Sequence, residues 1–284
     1  MSGKLKLIFE KPGLYTTIQD RGRVGQQHRG IPVGGAMDLE SYEMANRLVN
    51  NDLNTPVLEI TLMGPVILFE GIGQIAMTGA DTSPMINGEQ VALNETIDIY
   101  DGDRLTFGKN TDGCRTYLGV RGIWEQNQWL GSVSPVAHSV FDETIIVKHQ
   151  IVEVLTLERV FPNLFTPTKT PEEIEIGIYP GPELSVLTRK QQDEWVGRPL
   201  LISNLSNRMG IRLDHVFLIE KKIEIISSGV FPGVIQLTHA GQPIVLMADA
   251  QTTGGYPRIA VVDSNDLNLL AQLKPNDSIW FKWK

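Results

Sequence analysis

The chain has 284 residues and a mass of 31.5 kDa, enough at about 100–200 residues per domain for two domains or one large one with a real core. Its 25 Lys and Arg stand against 33 Asp and Glu, a net charge of −8 with no basic block, which excludes a dedicated phosphate-backbone binder. Apolar residues make up 42% and charged residues 20%, with Gly and Pro spread along the chain, which excludes a disordered segment.

At the N-terminus, MSGKLKLIFEKPG places two lysines before only three consecutive apolar residues, short of the roughly 7–15 that a secretory signal needs. The longest apolar runs, such as Pro243 to Ala248, fall short of the roughly 20 residues that span a bilayer. One cysteine, Cys114, rules out an internal disulfide and a zinc ribbon. A cytoplasmic protein with no membrane partner is expected.

PGLYTTIQDRGRVGQQHRGIPVGGAMD then runs for more than twenty positions without a core-facing period and reads as a long loop. Its glycines allow close backbone approach, and Gln19, Asp20, Arg21, Arg23 and Asp38 supply polar groups; it is either a ligand-contacting loop or an ordered surface loop. Met44, Ala45, Leu48 and Val49 follow an acidic first turn and read as a short helix. VLEITLMGPVILFE reads as two strands around Gly64-Pro65, MINGEQV as a hairpin at Asn87-Gly88, and IDIYDGDRLTF as a hairpin at Asp101-Gly102. TIIVKHQIVEVLTL reads as strand, with His149 facing solvent.

FPNLFTPTKTPEE has three prolines and no sustained period, so it is the expected connection between two halves, with the boundary near Lys169. Beyond it, EIEIGIY, KIEIISS, GVIQL, PIVLMA and SIWFKWK read as strands, and Thr188 to Trp195 and Leu267, Leu270 and Ala271 as short helices. GDRLTF and NDSIWF form a faint echo near the ends of the two halves, as related barrels or chance would both produce.

Two stretches in the second half concentrate polar groups. SNLSNRMGIRL sets Asn204, Asn207, Arg208 and Arg212 around Gly210; the planar fork of Arg208 suits a carboxylate or phosphate, or an ion pair with a nearby acid. GQPIVLMADAQTTGGYPRIAVV brackets Asp249, Gln251, Thr252, Thr253, a di-glycine, Tyr256 and Arg258 between two apolar strands, which is either a binding site on rigid supports or a turn capped by Asp249. GDRLTFGKN and GIGQIA fail as phosphate or dinucleotide loops by spacing and by lacking a following helix. No HExxH pair, GxSxG elbow or metal site is expected from the five histidines and Cys114.

PGLYTTIQDRGRVG with GIPVGGAMD, ANRLVNNDLNTPVLEITL, TGAD, YLGVRGI, PGPE, SNRMGIRL, SSGVFPGVIQLTHAGQPIVLMADAQTTGGYPRIAVV and LAQLKPND occur in this order over nearly the whole chain. Together they resemble the 5-oxoprolinase subunit family that is also labelled biotin-dependent carboxyltransferase or allophanate hydrolase subunit 2, and that is related to the carboxyltransferase region of urea amidolyase. The resemblance implies a mainly β protein of two cyclophilin-like β-barrel domains with a few short helices, residues 1–168 and 169–284. It implies ATP-dependent opening of 5-oxoproline to glutamate, performed with two other subunits, one kinase-inhibitor-like and one lactam-utilisation-like, ATP being bound with a partner. Arg208 would then hold the substrate carboxylate or the phosphoryl group, and Asp249 would orient the ring N–H. Asn207, Gln251, Thr252, Tyr256 and Arg258 would complete the pocket, with Asp20 and Arg23 contributing from the first-half loop.

Two alternatives follow from the same resemblance: carboxyl transfer to or from a urea-type amide, with biotin arriving on a partner because the chain has no Met-Lys-Met attachment site, and a non-catalytic regulator that binds a histidine-kinase inhibitor protein. The chain departs from the family in WLGSVSPVAHSVFDETIIVKHQ. There it keeps Gly131, Ser132 and Ser134 but loses the threonine and glycines of the usual Gly-Ser-x-Ser-Thr and Gly-Gly-x-x-Gly-Arg pattern.

Overall fold

The computed structural model describes residues 3–136, 144–165, 173–219 and 225–284; His138, the Lys169 boundary and residues 222–224 of the KIEIISS strand expectation lie outside them, and of its described part only Ser228 is in a strand, Ser228–Gly229. The fold is mainly β, with three short α-helices among the described residues, α1 (Leu39–Leu48), α2 (Arg189–Val196) and α3 (Leu267–Ala271). It divides into two compact units, one of residues 1–22 and 38–168, the other of 23–37 and 169–284. A single cut near Lys169 therefore misassigns Arg23–Met37, which belongs with the second unit: Met37 is buried in that unit's core, and the Gly34 N–H donates to the Ala248 carbonyl at 2.9 Å.

In the first unit, the strand Lys4–Lys11 pairs antiparallel with Ile151–Thr156 and Val66–Glu70. Its alternation turns Leu5, Leu7 and Phe9 into the core, the period-two pattern of a half-buried strand. The facing five-stranded sheet orders Tyr15–Gln19, Val57–Thr61, Asp112–Val120, Gly73–Asp81 and Thr96–Ile99. Helix α1 is capped by Asp38, whose side chain accepts from Ser41 N, and Ala45 packs against Gly119 of that sheet. Coverage on both faces explains why Tyr15–Gln19 escapes a periodicity reading: Thr16, Thr17, Ile18 and Gln19 are all buried, with Thr16 bonded to the Pro12 carbonyl and Gln19 to Thr17.

Local turn chemistry holds at Asn87-Gly88, where both residues have positive φ between Pro84–Ile86 and Glu89–Gln90. At Asp101-Gly102 the chain also turns, with Gly102 at φ +87°, yet the flanking strands join different sheets, Thr96–Ile99 with Gly73–Asp81 and Arg104–Phe107 with Val66–Glu70 and Pro84–Ile86. That segment is a corner between sheets, not a hairpin. His149 is exposed as expected but sits in a turn at φ +65°, and the strand there spans only Ile151–Thr156.

The second unit is built on one seven-stranded sheet, in the order Leu200–Leu201, Ser278–Trp283, Ile174–Pro180, Arg258–Val262, Val234–Leu237, Pro243–Leu246, Gly210–Arg212. Ser278–Trp283 runs parallel to Ile174–Pro180, whereas Arg104–Phe107 has only antiparallel neighbours, so the two echo segments occupy unlike places. Helix α2 has a full capping box, Thr188 with Gln191, and buries Trp195 edge-on against Phe217, Phe281 and Trp283. Ile235 and Leu237 enter this main core, and alternation turns Val234 to the other face, where it joins Val230, Leu246 and Ala250 in a smaller cluster.

Candidate functional site

Val245 and Ala260 both lie opposite Ile235, each antiparallel to it. The strands Pro243–Leu246 and Arg258–Val262 are therefore parallel to each other on either side of Val234–Leu237. Residues 247–257 must cross from one end of that central strand to the other; Met247 and Ala248 still pack with the main core, and from Asp249 on they form a strap over the opposite face. Ala250 packs into the small apolar cluster, Thr253–Gly254 pairs with Ser228–Gly229, and Gly254 passes over Gln236. A Cβ at residue 254 would meet the Gln236 Nε2 at 2.5 Å, so glycine there permits the close crossing.

At the first end of the strap, Arg208 holds Asp249 in a bidentate fork, Nε to Oδ2 at 2.7 Å and Nη2 to Oδ1 at 2.8 Å, a charge-assisted geometry that only arginine supplies. The same Nη2 donates to the Gly35 carbonyl at 2.6 Å, and the Asp249 N–H returns to the Arg208 carbonyl at 3.0 Å. With the bond from Gly34 to Ala248, this clamps the GIPVGGAMD loop to the strap. Side-chain exposure is 7% for Arg208 and 24% for Asp249.

At the second end, Glu183 binds Arg258 through Oε1 to Nη2 at 2.7 Å and Oε2 to Nε at 2.9 Å, and accepts the Arg258 backbone N–H at 2.9 Å. The Arg258 guanidinium holds the Glu183 carboxyl below its ordinary value, and Glu183 raises Arg258. Gly181 makes this possible: a Cβ there would lie 2.2 Å from the Arg258 carbonyl. Between the ends, Gln251 Nε2 donates to Gln236 Oε1 at 3.2 Å, and the Tyr256 ring meets His239 edge-on with centroids 5.0 Å apart.

The sequence reading gave Arg208 to a substrate anion and Asp249 to a ring N–H as separate ligands. The structure joins them to each other and leaves Asp249 as the partner with solvent access. Arg258 likewise closes on Glu183. Asn207 is exposed, but its Oδ1 accepts from the Met209 and Gly210 N–H groups at 2.8 and 3.3 Å, so it shapes the turn before Gly210–Arg212. Thr252 is half-buried, and its carbonyl accepts from Val230 N.

Asp20 and Arg23 lie in different units and are both buried. Asp20 Oδ1 accepts from Ser132 Oγ, Ser134 Oγ and Gly22 N at 2.6, 2.7 and 2.9 Å, and Oδ2 from Val133 N at 2.8 Å. It is an internal staple and not an open ligand, and it explains which part of the departed segment persists: Ser132 and Ser134 are its partners. Arg23 is 1% exposed and its N–H donates to the Val33 carbonyl at 2.6 Å, so the loop would have to open for Arg23 to meet a ligand.

Sequence reasoning missed Glu183, Gln236 and His239. PGPE carried the first as a motif without a role, and the buried Gln236 interrupts an otherwise apolar strand, a signal that was legible. Two clefts of the second unit, about 710 Å³ along Thr188, Glu194, Arg198 and His215 and about 610 Å³ along Glu175, Trp280 and Trp283, do not include the strap. In the first cleft, burial and the nearby Arg198 lower the His215 pKa.

Neither glycine-rich stretch of the first unit suits a nucleotide phosphate. Gly71 N donates to the Asp101 side chain, Gly102 N to the Phe69 carbonyl, and Gly108 N to the Thr82 and Ser83 carbonyls, so these three backbone donors are already engaged in the turns between strands. Among the described residues no group of three or more His, Cys, Asp or Glu could hold a metal ion. No helix among them is long and apolar enough to cross a membrane.

Comparison with known proteins bears on this geometry. The carboxyltransferase domain family, subdomain A and B, matches residues 29–283. The chain is 37% identical to a 5-oxoprolinase subunit of Escherichia coli (strain K12) over 281 residues, covering 98% of this chain and 90% of that one. It is 31% identical to urea amidolyase of Saccharomyces cerevisiae over 95% of its own length, but spans only 16% of that protein. The crystal structure of the K. lactis urea amidolyase superposes with a TM-score of 0.88 at 29% identity, covering 97% of this chain and 18% of that one.

Proposed function

The chain belongs to the carboxyltransferase domain family, subdomain A and B, and from that premise we propose that it is a subunit of a heteromeric, ATP-dependent 5-oxoprolinase that opens 5-oxoproline to glutamate in the cytoplasm. The observation that carries this reading is the near end-to-end match, at 37% identity, with the Escherichia coli 5-oxoprolinase subunit, 90% of whose length is covered. The urea amidolyases match over a small fraction of theirs.

In this reading the strap is the substrate-holding element. Asp249, oriented by the Arg208 fork and partly open to solvent, retains lone pairs to accept the lactam N–H. A carboxylate oxygen carries two acceptor sites, and the fork occupies one on each. Arg208 acts through Asp249 and Gly35 and is a positioning residue. Gln251, Thr252 and Tyr256 belong to the same strap and complete the contacts. ATP is assigned to a companion subunit, as the family resemblance implies, and the kinase-inhibitor-like and lactam-utilisation-like subunits are the proposed companions.

The test is 5-oxoproline-dependent ADP release by the two companion subunits with and without this chain, glutamate being quantified in parallel. Glutamate that appears only with this chain supports the reading. A chain that binds the inhibitor-like subunit without adding turnover is a regulator. The urea amidolyase likeness supports a second reading, carboxyl transfer on a urea-type amide with biotin carried by a partner; turnover of urea with a biotinylated carrier, and none of 5-oxoproline, would select it.

A further inference from the structure

We propose that Gln236 is a positioning residue of this site, fixing the height of the 249–257 strap through Gln251, Gly254 and Tyr256 and thereby setting how tightly substrate is held. The proposal rests on the reading of the strap as the substrate-holding element.

Gln236 lies in a strand of otherwise apolar residues, Val234–Leu237, and is 1% exposed. Its neighbour on the same face, Val234, and the flanking Ile244 and Val261 belong to the small apolar cluster beneath the strap. An apolar side chain at 236 would continue that cluster, and a buried carboxamide is costly unless its groups are bonded. Its bonds go to the strap: Oε1 accepts from Gln251 Nε2 at 3.2 Å, and Nε2 reaches the Tyr256 carbonyl at 3.4 Å. Gly254 sits directly over the same nitrogen, where any Cβ would collide with it.

One side chain of the rigid sheet thus touches the strap at three positions, two of them residues singled out from sequence alone. The small cluster anchors the strap at Ala250, but apolar packing is non-directional. The carboxamide adds direction, fixing which way the Gln251 side chain and the Tyr256 backbone face.

Gln236→Leu keeps the volume and removes both bonds, and the half-buried Gln251 can turn to water, so the folding midpoint is expected to stay or rise. In the complex with both companion subunits the KM for 5-oxoproline is expected to rise about fivefold, the equivalent of one hydrogen bond, with kcat within about twofold. Gln251→Leu should raise KM as well, and the double variant should fall short of the product of the two singles, because both changes break the Gln251–Gln236 bond. Gly254→Ala, which displaces the same amide from above, should reproduce the KM shift. In the free full-length chain, amide exchange across residues 250–256 is expected to quicken about fivefold in Gln236→Leu.

Wild-type KM in Gln236→Leu, or multiplying effects of the two glutamine changes, overturns the proposal. If the wild-type complex opens no lactam, the functional reading fails instead, and exchange decides: unchanged protection of the strap in Gln236→Leu overturns the positioning role, and lost protection sustains it.

Discussion

Two aspartates drawn from the sequence as ligand-facing groups, Asp20 in the first unit and Asp249 in the second, have opposite surroundings. Asp20 is 6% exposed and accepts four hydrogen bonds from Gly22, Ser132, Val133 and Ser134. Asp249 is 24% exposed at its side chain and is held by one arginine fork. A carboxylate whose acceptor sites are filled by its own chain is a structural staple, whereas one oriented from behind and open in front can take a ligand. Residue type does not separate the two; the count of donors and the direction of solvent do.

The sharpest way to break that comparison is Asp20→Ala. It takes away the acceptor of two buried hydroxyls, one buried N–H and one half-buried N–H, and is expected to cost roughly 3 kcal/mol or more in chemical denaturation. Ser134→Ala removes two buried bonds, the hydroxyl to Asp20 Oδ1 and the Asp20 N–H to Ser134 Oγ, and should cost about 1–3 kcal/mol. A folding midpoint for Asp20→Ala near that of the wild type, with activity lost, would return Asp20 to the ligand class.

Arg208→Lys sharpens the other side. Lysine keeps the charge but cannot reach both Asp249 oxygens and the Gly35 carbonyl at once, so about 1.5–3 kcal/mol of stability should be lost. Turnover in the assembled complex should fall nearly as far as for Arg208→Ala. An arginine that simply bound a substrate anion as a point charge would be partly replaced by lysine, and substantial residual activity in Arg208→Lys would show that role.

Much of this was legible in the residues. The strands beside Gly64-Pro65, the Asn87-Gly88 hairpin and all three helices follow from period, turn type and caps. So do the three stretches that assemble at the strap. Tyr15–Gln19 was hidden because a strand covered on both faces does not alternate. The Asp101-Gly102 corner was misread because a tight turn announces itself locally, while the sheet each flanking strand joins is decided by distant pairing. The site residues were picked as types able to bind ligands, and those types serve equally to bind one another. Arg208 with Asp249 is a contact across 41 residues and Arg258 with Glu183 one across 75, and nothing local in the sequence specifies either pairing.

The smallest expected effect compares the two forks. Both members of the Glu183–Arg258 pair are partly exposed, 22% and 25% at their side chains, so screening keeps its contribution to about 1 kcal/mol or less. Because Arg258 lowers the folded pKa of Glu183 from its ordinary 4.5, the contribution is fully present above that value and fades as the pH falls through the folded one. Glu183→Gln should therefore narrow the stability gap to wild type as the pH drops below 4.5 and leave it constant at neutral pH, as read from denaturation midpoints across that range. A gap that grows on acidification would mean that the carboxyl is stabilised in its protonated form, and that this end of the strap is not pinned by charge.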